Sequence, residues 1–289
     1  MNTVKDLRKQ QYDYHRKKFP YLFDFIRNPY SFIKARFYME TSAVLVWFLL
    51  KAKIKPNTVT IIYGLAGIAT GILLSIPNNY TIFIALVIAF SKGTLDWSDG
   101  HLARVTRQTS FTGHILDVFG AYLNSLGFQI GLGLYVAGRA DTILFYYLVP
   151  ILLFFRAGGL ISFSKAILFD EISSENYVSS FLHNYSQGEN QDNVNVNISG
   201  SSYRKYVKLF KSFLDDRARS VDLICLIILL EMLYNFNISW IVFLLILMKY
   251  FIIFIGSFYM VAKSEWAENK VMNKIKEFHV LFYKENNGT

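Results

Sequence analysis

From Asn57 to Ile76 the chain runs for 20 residues without a charged side chain. As an α-helix that length rises about 30 Å, the thickness of the hydrocarbon core of a bilayer. Blocks of this kind recur and constrain the fold more than any other feature. In lipid every backbone N–H and C=O must be paired, and a helix does this within one segment. Further blocks read as Thr81–Asp96, Gly113–Val136, Thr142–Phe163, Val221–Leu233 and Ser239–Val261. Val221–Leu233 is short and fits a span when tilted or extended at its ends. The expected fold class is all-α: a polytopic membrane protein with six transmembrane helices and an N-terminal amphipathic interfacial helix.

Composition excludes the main alternatives. Hydrophobic residues make up 53% of the 289 against 18% charged, and the mean hydropathy is +0.29. The 26 Phe and 19 Tyr exclude a disordered chain. Cys225, the one cysteine, excludes a disulfide scaffold. In a soluble protein the net charge of +9 would suggest nucleic acid. In a membrane protein it points to positive-inside loops and anionic headgroups, with no nucleic acid needed.

Residues 1–36 are basic and aromatic, with no apolar core or small-residue cleavage site, and do not read as a signal peptide. Phe19, Leu22, Phe23 and Ile26 recur at helical spacing between Arg16, Lys17, Lys18 and Arg27, which predicts a helix lying in the membrane interface; the alternative is a solvated basic arm. Ala43–Leu50 is apolar but too short to span, so the interfacial or re-entrant assignment extends to Lys55. Pro56 then opens the first long block, in which Gly64, Gly67 and Gly71 would permit close helix packing. Three regions follow: residues 1–55, a basic arm with interfacial helices; residues 56–262, a six-helix membrane domain; and residues 263–289, a tail.

Charge sets the expected orientation. Up to Lys55 there are 12 Lys/Arg against four acids. Arg104, Arg107, the Arg204–Arg219 segment and the lysines of the tail fall on the same side, whereas the opposite loops contain Arg139 alone as a cation. Both termini are therefore expected in the cytoplasm. Residues 170–202, polar and rich in Asn and Ser, read as a flexible cytoplasmic insertion, where the glycosylation patterns at Asn184 and Asn197 have no use.

Charges in or beside apolar spans are expensive and usually functional. Asp96 and Asp99 end the second block, Gly100, Ala103 and Arg104 follow, and Asp117 comes four residues after Gly113. On a helix Asp96, Asp99, Gly100 and Ala103 share one face, and a tight helical hairpin would bring Asp117 to them. Gathered carboxylates repel and need a cation, and hard oxygen ligands favour Mg²⁺, Mn²⁺ or Ca²⁺; Mg²⁺ commonly bridges carboxylates to substrate phosphates. The other reading is of helix-end acids paired with Arg104 and Arg107.

The run Asp96-Trp97-Ser98-Asp99-Gly100-His101-Leu102-Ala103-Arg104, with Gly113 and Asp117 beyond it, resembles the signature of the CDP-alcohol phosphotransferase family. Pro56-Asn57-Thr58-Val59-Thr60 at the start of the first span is also similar to that family. The resemblance implies transfer of a substituted phosphate from a CDP-alcohol, such as CDP-diacylglycerol, to a second alcohol with release of CMP, in phospholipid or related polar-lipid synthesis. It implies Mg²⁺ or Mn²⁺ held by Asp96, Asp99 and Asp117. Nucleotide and phosphate contacts would come from Asn57, Thr60, Gly100, Ala103, Arg104, Ser110 and Gly113. It further implies a homodimer among membrane lipids; the location expected is a bacterial inner membrane.

One position departs from the pattern. The family's fourth Asp, its general base, should fall four residues after Asp117, where this chain has Ala121. A methyl group neither accepts a proton nor ligates metal. Either another base, the substrate itself or a single metal serves; or the chain bears an inactivating substitution; or it is a catalytically inactive CDP-alcohol- or lipid-binding protein. His101 and His114 are the nearest replacement bases. A transporter would suit the spans but leave the Asp motif unexplained. On the acceptor side, Arg156 and Lys249 lie inside apolar blocks, either to receive an anionic group or to pair with Glu231 or Asp222. Arg217 and Arg219 read as topology determinants.

Overall fold

The computed structural model describes residues 3–140, 142–157 and 219–263. Among these there are eight α-helices and a short 3₁₀ turn at Pro20–Phe23. In chain order the helices are α1 (Val4–Lys18), α2 (Pro29–Lys51), α3 (Pro56–Ser75), α4 (Asn79–Val105), α5 (Phe111–Ala140), α6 (Ile143–Ala157), α7 (Arg219–Tyr234) and α8 (Ser239–Lys263). Among the described residues four stretches are long and apolar enough to cross a membrane: Pro56–Ser75, Asn79–Val105, Thr112–Ala140 and Ser239–Tyr259. α6 and α7 have 15 and 16 described residues. The chain thus reads as a multi-pass, all-helical membrane protein. The expected insertion at 170–202, Arg217 and the tail lie outside the described residues.

Local chemistry sets the helix ends. Thr3 and Asp6 close a capping box on α1, in which the Asp6 amide donates to Thr3 Oγ1 at 3.2 Å and the Thr3 amide to Asp6 Oδ2 at 3.0 Å. The Thr3 amide and hydroxyl, both donating to Asp6 Oδ2, hold the Asp6 carboxyl below the usual carboxylate range. Prolines open α2 and α3, where no intrahelical N–H is lost. At the other ends α2 and α4 finish alike, with Lys53 and Arg107 in the left-handed region (φ 54° each). In α4 the Gln108 amide reaches back to the Ala103 carbonyl at 2.9 Å and in α2 the Ile54 amide to that of Leu49 at 3.0 Å. Glycine usually takes this position, so each cation there carries a strain of about 1 kcal/mol.

Two expectations for the N-terminal arm are corrected. Phe19–Ile26 is not an α-helix: α1 stops at Lys18, and Pro20, which has no N–H and restricts Phe19, turns the chain into the 3₁₀ turn. The amphipathic helix lies earlier, in α1, whose buried stripe is Leu7, Gln11 and His15. Nor is Ala43–Leu50 a short separate segment. It is the second half of the 23-residue α2, whose buried residues Ala35, Tyr38, Met39, Ser42, Ala43, Val46 and Leu49 keep a helical period.

Two compact units divide the described residues. One takes in everything up to Tyr146 together with α7 and the start of α8 to Phe243; the other takes in the remainder of α6 and α8. The first holds the candidate site. Its core joins Leu7 of α1, Ala43, Val46 and Leu49 of α2, Val59 of α3 and Leu102 of α4. α3 reverses the pattern of a water-soluble helix. It buries Thr60, Gly64, Gly67, Thr70 and Gly71 and exposes Ile61, Ile62, Leu65, Ile68 and Ile72, the arrangement expected when lipid is the solvent and helices associate by close backbone approach. Gly93 of α4 receives the Tyr38 ring in the same way, since a Cβ there would lie 2.1 Å from Tyr38 Cζ. Away from this end, the buried Glu231 ties α7 to the start of α8. Its carboxylate accepts the Tyr135 hydroxyl at 2.9 Å and the Ser239 amide at 2.6 Å.

Candidate functional site

The first turns of α3 and α5 meet the last turns of α4, and the family-like residues lie where these ends come together. α4 runs unbroken through Val105. At about 100° per residue, Asp96, Asp99, Gly100 and Ala103 therefore share one face, as expected from their spacing. Asp99 is 6% exposed. Its Oδ2 accepts the Thr60 hydroxyl at 2.8 Å and its Oδ1 accepts the Gly100 amide at 2.5 Å. The start of α3 is thereby bonded to the carboxylate face of α4. Asp96 and Asp117 lie within electrostatic reach of Asp99, and all three reach Tyr63 of α3, a residue that the sequence does not single out.

A second junction joins α3 to α5. Ser110 caps α5, its Oγ accepting the Gly113 amide at 3.0 Å. A Cβ added to Gly113 would lie 3.2 Å from Ser110 Oγ and 3.3 Å from Asn57 Oδ1, so glycine allows these three residues to meet. Gly100 plays a similar part beside Arg104, whose Nη1 would be 3.2 Å from an added Cβ. Six of the seven expected nucleotide and phosphate residues thus fall into close groups: Thr60 against Asp99, Asn57 with Ser110 and Gly113, and Gly100 with Arg104. Ala103 shares the carboxylate face by its helical position.

The arginine is held from an unexpected direction. Its Nη2 donates to Gln11 Oε1 of α1 at 3.0 Å, and its guanidinium lies 3.9 Å from the centre of the Tyr14 ring. One residue further along α1, His15 stacks on Trp97 of the signature at 4.4 Å with the rings 5° from parallel. Burial holds the His15 pKa below its ordinary value, and the nearby Arg104 and Lys18 charges act the same way against the bond to the Gln11 carbonyl. Neutral His15 then donates Nδ1–H to that carbonyl at 2.8 Å. The residues of α1 escape a search for apolar periodicity because two of its three buried positions, Gln11 and His15, are polar. As for helix-end pairing, Asp99 is held by Thr60, while Arg104 is engaged by Gln11 and Tyr14.

Neither replacement-base candidate is hydrogen-bonded to Asp99. His101 points away from the carboxylate face by helical position, is 1% exposed, and has no hydrogen-bond partner at either ring nitrogen. His114 is exposed in the first turn of α5. Ala121 follows Asp117 by one turn, next to Gly120, which packs against Thr60 and Tyr63. Asp222 and Glu231 each have partners within the first unit. Asp222 accepts from Lys34 and from the Tyr30 hydroxyl, while Glu231 is engaged by Tyr135 and the start of α8. Within the second unit, Arg156 and Lys249 lie 5.6 and 5.1 Å from the Tyr250 ring centre.

Among the described residues, no three His, Cys, Asp or Glu side chains close into a set that could hold a metal ion as they stand. Mutual repulsion works against such closure. The donor chemistry nonetheless fits Mg²⁺ or Mn²⁺, because Asp96, Asp99 and Asp117 offer hard oxygens alone.

An all-helical membrane protein with acids, small residues and an arginine clustered at helix ends is suited to a phosphate-bearing ligand at the membrane face. Residues 53–167 match the model of the CDP-alcohol phosphatidyltransferase family. The match spans α3, α4, α5 and α6, including every candidate carboxylate. Neither the curated proteins nor the solved structures yield a match to the chain.

Proposed function

We propose that this protein transfers a substituted phosphate from a CDP-alcohol, such as CDP-diacylglycerol, to a second alcohol and releases CMP, in phospholipid or related polar-lipid synthesis. The family match supports the phosphatidyl transfer. The observation that carries the reading onto these residues is the Thr60–Asp99 bond, which joins the start of α3 to the acidic face of α4. Asp96, Asp99 and Asp117 would hold Mg²⁺ or Mn²⁺, whose charge offsets the diphosphate and stabilises the leaving CMP. Arg104 and the amide-lined start of α5 would take phosphate oxygens, with Asn57, Thr60, Gly100, Ala103, Ser110 and Gly113 lining the nucleotide side. Proposed with it are a homodimer, on the family resemblance, and a cytoplasmic location of both termini, on the Lys/Arg bias.

Metal removal tests this reading. Excess EDTA is expected to lower CMP release from CDP-diacylglycerol, assayed with a panel of small alcohols, by on the order of 10³-fold, the equivalent of several kcal/mol of charge stabilisation. Asp117→Asn should lower it comparably while keeping the side chain's size. Full transfer in EDTA would refute the metal role. A second reading rests on Ala121: a CDP-alcohol-binding protein without transfer, which would bind CDP-diacylglycerol and release no CMP.

A further inference from the structure

Arg104 is fixed by residues that lie outside the segment matching the family. Gln11 is completely buried, and both ends of its carboxamide are used. Its Nε2 donates to Ser42 Oγ of α2 at 3.4 Å. Ser42 spends its own hydroxyl proton on the Met39 carbonyl at 3.3 Å, so it accepts from Gln11. That assignment points Gln11 Oε1 at Arg104, whose Nη2 it meets at 3.0 Å. Tyr14 covers the guanidinium from one side, 3.9 Å from its ring centre. Leu7, completely buried four residues before Gln11, and the His15–Trp97 stack four residues after it fix α1 against the core and against α4.

We infer that α1 is a positioning element for the candidate nucleotide site, in which Gln11 and Tyr14 orient Arg104 for the diphosphate of the donor. The inference rests on the proposed function and adds to it that the N-terminal helix belongs to the site. A free arginine side chain must be ordered when a ligand arrives, and ordering one such side chain weakens binding by up to about tenfold. Here Gln11 accepts one of its donors and Tyr14 stacks its plane beforehand, leaving Nη1 over Gly100 on the side of the carboxylates. Gln11 and Tyr14 are positioning residues in this scheme and do not touch the substrate.

The test is binding of CDP-diacylglycerol to the full chain in lipid nanodiscs with Mg²⁺. Tyr14→Leu, which keeps bulk and removes the aromatic face, and Gln11→Leu are each expected to weaken binding by about tenfold. Tyr14→Phe keeps the face and should remain within about twofold. In an Arg104→Ala background Tyr14→Leu should have no further effect, because the residue through which it acts is gone. Should Gln11→Leu fail to fold, the series at the partly buried Tyr14 still decides the matter. An equal loss from Tyr14→Leu with and without Arg104 would mean that Tyr14 acts only on stability, and would overturn the inference. So would wild-type binding that falls with Arg104→Ala and not with the Tyr14 variants, a result that leaves the proposed function standing. If the wild-type chain binds no CDP-diacylglycerol, the proposed function and the inference fall together.

Discussion

Ala121→Asp is expected to raise CMP release by roughly 10²–10⁴-fold, the contribution of a positioned general base. Ala121 lies one turn beyond Asp117 in the unbroken α5, about 6 Å along the axis and on nearly the same face. The preceding residue is pinned: a Cβ on Gly120 would lie 3.2 Å from the Thr60 carbonyl and 3.3 Å from the Tyr63 ring, so α5 cannot rotate the 121 side chain far from the acidic face. Ala121 is only partly buried, which leaves space for a carboxylate to reach solvent. A fourth acid among Asp96, Asp99 and Asp117 adds repulsion that a divalent cation offsets. The gain should therefore require Mg²⁺, and the variant should melt below the parent in EDTA. Ala121→Asn, which has the shape without the base, should give no gain. Robust transfer by the parent chain with no gain in Ala121→Asp would show that the proton is taken elsewhere.

The long blocks and the acid spacing are legible because lipid and helical geometry leave few solutions. Twenty uncharged, mostly apolar residues after Pro56 specify α3 almost to the residue. The spacing of Asp96, Asp99, Gly100 and Ala103 places them together once α4 is helical. What the sequence conceals is tertiary. Phe19–Ile26 has helical spacing, but Pro20 prevents the helix, and apolar periodicity alone cannot weigh one residue's missing N–H. α1 is misplaced for the opposite reason: its buried stripe includes Gln11 and His15, whose burial is tolerable only because Arg104, Ser42 and Trp97 receive them. Those partners lie 31 to 93 residues away in the chain, beyond the reach of local pattern. The partners of Asp222 and Glu231 are likewise distant in the chain: Lys34 and Tyr30 for the first, Tyr135 for the second.

The glycines that were expected to permit close packing meet backbone, and this makes Gly67→Leu the most disruptive single change to the fold. A Cβ on Gly67 would lie 2.1 Å from Asn124 Cα and 2.8 Å from its carbonyl carbon, and one on Gly71 would lie 2.2 Å from the Gly127 carbonyl oxygen. The facing residues return the constraint, since a Cβ on Gly127 or Gly131 would lie 2.4 Å from the Gly67 carbonyl oxygen or 2.5 Å from Gly71 Cα. No flexible side chain can move aside, so the helices themselves must separate. Separation also breaks the buried bond from Asn124 Nδ2 to the Tyr63 carbonyl, 3.0 Å long, and draws the first turn of α3 away from Gly113 and Gly120. Gly67→Ala is expected to cost about 3 kcal/mol, at the upper end of overpacking, and Gly67→Leu to prevent recovery of folded protein. Gly64→Ala is the graded control: its Cβ would stand 3.4 Å from Gly120 Cα, an ordinary contact, and its cost should stay within about 1 kcal/mol. Gly138→Ala, with nothing within 4 Å, should be neutral or stabilising by up to about 1 kcal/mol through helix propensity. Thermal unfolding of the three alanine variants in one detergent, with the yield of folded Gly67→Leu beside it, reads the series. A Gly67→Ala protein that melts with Gly138→Ala would show that α3 and α5 do not cross in backbone contact, and the Asn57–Gly113 junction would have to be abandoned with that crossing.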